Sequence, residues 1–74
     1  MNDDALVNWF TYHTPRDDQP GRYESIRRAG LDMARVINLA CPDSADKTAA
    51  IRKVREAVMT ANAAIACTPP PPSD

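Results

Sequence analysis

Large rings are scarce in this chain of 74 residues: it has one Trp, one Phe and two Tyr. Glycine is as rare, at Gly21 and Gly30 alone, and His13 is the single histidine. Each shortage removes a class of function. One histidine and two distant cysteines, Cys41 and Cys67, offer no ligand spacing for a structural metal, and nothing calls for a cofactor. There is no Gly-rich phosphate loop, no Cys–His spacing suited to a dyad, and only two glutamates, so the chain is not expected to be an enzyme. No apolar run approaches the about 18 residues that a membrane span requires. The opening Met1-Asn2-Asp3-Asp4 is acidic where an export signal is basic, so both thiols are read as reduced, in a cytosol. A net charge of −1 does not suit a partner that is long nucleic acid.

What is present is helical pattern. The chain is 43% hydrophobic, and from Arg22 the apolar residues fall at spacings of three and four. Tyr23, Ile26, Gly30, Met33, Ile37 and Ala40 form one seam, with Ala29, Leu31, Val36 and Leu39 widening it. Pro42 ends that helix by pushing the residue before it out of helical geometry. Asp43 or Ser44 caps the next helix, in which Ile51, Val54, Val58, Ala61 and Ile65 repeat the alternation. The expected fold is all-α: a hairpin domain over 1–67, with a short helix 3–10, a connector 11–21 broken by prolines, and helices 22–41 and 44–66 packed antiparallel. Residues 68–74, with four consecutive prolines, are expected to form a disordered or polyproline-like tail. Cys41 and Cys67 then sit roughly 30 Å apart along a helix, too far for a bridge. With disulfide and metal set aside, self-association is the staple left to so small a chain.

Small residues are expected at the helix contact: Gly30, Ala34, Ala57, Ala61 and Ala64. A glycine inside a helix costs about 1 kcal/mol against alanine, so Gly30 implies close approach by a partner helix or a ligand. Trp9, Phe10, Tyr12 and His13 cluster just before the hairpin. Trp9 and Phe10 are expected to cover its open end, while Tyr12 and His13, beside Pro15 in the connector, suit a stacking platform for a planar base. Lone His13 also reads as a surface or hydrogen-bonding residue. Four arginines between positions 22 and 35 face only Glu24 and Asp32, and Lys47, Arg52, Lys53 and Arg55 face only Glu56. Lys47 and Lys53 read as solvated helix face; Arg27 and Arg28, beside the seam and Gly30, read as phosphate-binding forks. A stacking ring and an arginine pair suit a small nucleotide.

These residues carry a resemblance. The run Phe10-Thr11-Tyr12-His13-Thr14-Pro15, then Gln19, Arg22-Tyr23, Ile26-Arg27, Cys41-Pro42, Arg55-Glu56-Ala57-Val58-Met59 and Ala61-Asn62-Ala63-Ala64-Ile65-Ala66, resembles the phage anti-CBASS sponge family over residues 8–67. The resemblance implies a homohexamer in the host bacterial cytoplasm. It would hold cyclic dinucleotides such as cyclic GMP–AMP in pockets between protomers, without hydrolysis, so that host effectors are starved of their signal. Tyr12 would stack on a base and Arg27 contact phosphate, with Arg28 next in line. Asn62 would make polar contacts, at a second site that in some relatives takes cyclic trinucleotides. The resemblance also implies that relatives often end the last helix with a basic residue where this chain has Cys67, a departure that leaves cyclic trinucleotides an open second ligand. From the residues alone, a hairpin that docks on a partner helix as a protein-interaction module is the alternative.

Overall fold

A computed structural model describes residues 1–68. Among them are three helices and no strand: α1 (Asp3–Phe10), α2 (Gln19–Ala40) and α3 (Ala45–Cys67). The proline-rich stretch expected to be disordered lies, from residue 69 onward, outside the described residues. No helix of the described chain is long and apolar enough to cross a membrane.

Local chemistry sets most helix ends. The Asn2 side chain accepts the Ala5 N–H at 2.8 Å, and Asp3 and Asp4 sit in the first turn of α1, at the positive end of its dipole. Ser44 caps α3 by accepting the Lys47 N–H at 3.1 Å. Before Pro42, Cys41 is extended, with φ −103° and ψ 141°, and α2 stops at Ala40. The start of α2 differs from the expected Arg22. Gln19, Pro20 and Gly21 join the helix, because a proline in the first turn lacks only an N–H that would have no helical partner.

Helices α2 and α3 pack antiparallel, so Gln19 meets Ile65 at the open end and Gly30 meets Val54 and Val58 in the middle. The half-buried seam on α3 is the expected set, Ile51, Val54, Val58, Ala61 and Ile65. On α2 it is Tyr23, Ile26, Gly30, Ala34 and Ile37, and Met33 and Ala40 are exposed. The correction has a geometric cause. A straight helix turns every 3.6 residues, so four residues on from Gly30 the small Ala34, not Met33, continues the close contact. Ala57 and Ala64 also face outward, leaving Gly30, Ala34 and Ala61 as the small residues of the seam. The flanking Ala29, Leu31, Val36 and Leu39 do not widen the seam; all four are exposed.

No described apolar residue is buried; the one buried residue is Gln19, 8% exposed. Trp9 and Phe10, expected to cover the open end, are 64% and 86% exposed. The particle measures 53 × 28 × 16 Å. Its thin axis barely exceeds the about 10–12 Å of one helix with its side chains, so nothing lies above or below the layer to bury those rings. Both described cysteines are free, Cys41 at the turn and Cys67 at the other end of α3.

Candidate functional site

A helix leaves its last carbonyls without intrahelical partners, and at the end of α3 the N-terminal segment supplies them. Asn8 Nδ2 donates to the Cys67 carbonyl at 3.1 Å, Gln19 Nε2 to that of Ile65 at 3.2 Å, and Arg16 Nη2 to that of Thr68 at 2.8 Å. Thr68 itself bonds back to the Ala64 carbonyl at 2.7 Å. Gln19 is buried at little cost because its other amide atom, Oε1, accepts the Arg16 N–H at 2.9 Å. The Arg16 guanidinium lies at the negative end of the α3 dipole, where a cation is favoured.

These bonds position the connector. Thr11 Oγ1 donates to the Val7 carbonyl at 2.6 Å, and His13 Nε2 lies 2.8 Å from the Asn8 carbonyl. A carbonyl only accepts, so Nε2 carries the proton and, in the neutral ring, Nδ1 is left as an acceptor. With Thr11 and His13 both tied to α1, the ring between them stands away from the protein: Tyr12 is 83% exposed. It lines an open cleft of about 460 Å³ together with His13, Arg16, Cys67 and Thr68.

Arg27 occupies a different cleft, of about 220 Å³, whose apolar floor runs between α2 and α3 from Gly30 to Val58 and which Arg55 also lines. Both Arg27 and Arg28 reach the same carboxylate, Glu24, at 3.2 and 3.5 Å, with every partner more than half exposed. Such surface pairs are worth little. Gly30 has a packing reason: a Cβ placed there would collide with Val58 Cγ2. Pro15, Arg28 and Asn62 line neither cleft. Asn62 is half-buried, and its Oδ1 is a buried acceptor with no partner among the described residues. The structure thus joins Tyr12 to His13 and Arg27 to Gly30, and keeps the two pairs apart on one protomer.

The family model of the Acb2/Tad1 hairpin domain matches residues 2–66. The chain belongs to this family, the anti-CBASS sponges. No curated protein and no solved structure gave a match. The Acb2/Tad1 match takes in the whole Arg27 cleft, the Tyr12 cleft apart from Cys67 and Thr68, and all three helices apart from Cys67 at the end of α3. Within this hairpin domain, sequence reasoning passed over Asn8 and Arg16. Neither sits in an apolar repeat, and each finds its partner 52 or more residues away, so no local spacing marks them.

Proposed function

We propose that the chain is a phage-encoded sponge that binds cyclic dinucleotides such as cyclic GMP–AMP without cleaving them, and so blocks CBASS defence in the host cytoplasm. The observation that carries this reading is Tyr12, whose ring is held out to solvent by bonds on both sides, in a chain of the anti-CBASS family. A planar base stacks on such an exposed ring, and the bonds of Thr11 and His13 to α1 fix the backbone that carries it. Arg27, with Arg28 adjacent, supplies phosphate contact.

Because Tyr12 and Arg27 line separate clefts of one protomer, a pocket holding both draws them from neighbouring copies. Self-association fits the surface as well. With no described apolar residue buried, Trp9, Phe10, Leu31, Met33, Val36, Leu39 and Met59 all remain exposed on a layer one helix thick. Trp9 also borders an apolar cleft of about 470 Å³ with Met59, Ala63 and Ala64, suited to a side chain from another protomer. We take the assembly to be the homohexamer. The role assigned is binding alone.

Calorimetric titration with cyclic GMP–AMP tests the reading. The wild type binds, the ligand is recovered intact after heat denaturation, and Tyr12→Ala weakens binding roughly 5- to 150-fold, the equivalent of about 1–3 kcal/mol of stacking. Unchanged affinity in Tyr12→Ala would refute the site. Absence of binding together with capture of a partner helix would favour the interaction-module alternative.

A further inference from the structure

Resting on the sponge reading, we propose that Arg16 is a ligand-contacting residue of the Tyr12 cleft, where its guanidinium binds a phosphodiester of the stacked nucleotide. Four described cations are paired: Arg22 with Asp18, Arg27 and Arg28 with Glu24, and Lys47 with Asp43. Arg16 is different. Its side-chain bond is to a neutral carbonyl, that of Thr68, and no carboxylate stands within ion-pair distance among the described residues. A guanidinium carries five N–H donors, and that bond occupies one nitrogen.

The side chain is also held. Its backbone N–H is bound by Gln19, its Nη2 by Thr68, and the residue is half-buried. A fixed cation without a counter-charge, lining the same cleft as an exposed phenol ring and His13, has the makings of an anion receptor. Most of the ordering entropy of its long side chain is lost on folding, so little of it opposes binding. A cyclic dinucleotide carries two phosphodiester charges. Arg16, on the protomer that supplies Tyr12, takes one, and Arg27, in the other cleft, is left for the second.

The competing explanation is structural: a cation at the C-terminal end of α3 favours the helix whether or not a ligand exists. Arg16→Gln separates the two, because it keeps an N–H donor and removes the charge. Calorimetry with cyclic GMP–AMP at several salt concentrations reads the result, with thermal unfolding run alongside. A folded Arg16→Gln protein should bind about 10- to 100-fold more weakly, and its plot of log affinity against log salt should lose about one unit of slope. Arg16→Lys, which keeps the charge without the fork, should retain the slope and lose affinity only several-fold.

Wild-type affinity in Arg16→Gln would overturn the proposal, and so would weaker binding with an unchanged salt slope, which marks a structural role. If Arg16→Gln does not fold, Arg16→Lys carries the test, and wild-type affinity there overturns the assignment. Binding by the wild type that Tyr12→Ala abolishes and Arg16→Gln leaves intact removes Arg16 while the sponge reading stands. No binding by the wild type removes both.

Discussion

Gly30→Ala sets two effects of opposite sign against each other. Alanine in place of a mid-helix glycine stabilises a helix by roughly 1 kcal/mol through propensity alone. Here the added Cβ collides with Val58 Cγ2, whereas Val58 Cβ at 3.8 Å and Val54 Cγ1 at 3.9 Å are ordinary contacts. Valine is stiff at χ1 inside a helix, so Cγ2 has no easy escape and α2 must move off α3. Overpacking of this kind costs about 1–3 kcal/mol, and the displacement spreads along the seam from Ile26 to Ala34. The packing cost therefore matches or exceeds the gain, with a net loss of up to about 2 kcal/mol. At a fixed protein concentration each kcal/mol lowers Tm by about 4–8 °C for a chain this short.

Val58→Ala removes the colliding methyl. The double variant Gly30→Ala/Val58→Ala should then recover stability relative to the sum of the single changes, with a coupling of about 0.5–3 kcal/mol. Thermal unfolding followed by circular dichroism measures all four proteins. A higher Tm for Gly30→Ala alone, or strict additivity in the cycle, would refute the close-approach argument. Lost nucleotide binding at unchanged stability would return Gly30 to a ligand-contacting role.

Two further outcomes are expected. Gln19→Ala strips the Arg16 N–H of its acceptor and removes one donor from the Ile65 carbonyl, so it should destabilise the protein by about 1–3 kcal/mol and speed amide hydrogen exchange across residues 11–18; unaltered exchange there would contradict the clasp. At the hairpin turn, the Lys47 ammonium donates a hydrogen bond to the Asp43 carboxylate at 2.9 Å and, by its charge as well, holds that carboxyl below its ordinary pKa of 3.8. A pKa lowered by folding adds stability above the unfolded value and loses it as the pH falls through the folded one. Asp43→Asn should therefore sit slightly below wild type in Tm at pH 7, and the two should converge as the pH drops below 3.8. A gap that persists in acid would mean that Asp43 acts by something other than its charge.

The hairpin was legible because its determinants are local. Three–four spacing sets which face of each helix is apolar, Pro42 ends one helix, Ser44 begins the next, and each acts within a turn of its own position. Tyr12 as an outward ring was legible for a similar reason, since it stands in a proline-broken connector. The expectations for Trp9 and Phe10 failed because a ring is covered only if another element lies above it. Sequence spacing says nothing about that, and the single-layer hairpin has no such element.

The three-dimensional arrangement alone settled the rest. Which of Met33 and Ala34 enters the seam depends on how closely two helices approach, and that distance follows from Gly30 meeting Val58. The clasp of Asn8, Arg16 and Gln19 on the last carbonyls of α3 joins residues 46 to 59 positions apart. Dangling carbonyls accept any donor that the fold delivers, so no motif announces the pairing. Few rings and almost no glycine already pointed to a small helical unit with one ring to spare for a ligand. That Arg16 shares a cleft with Tyr12 follows only from where the end of α3 comes to rest.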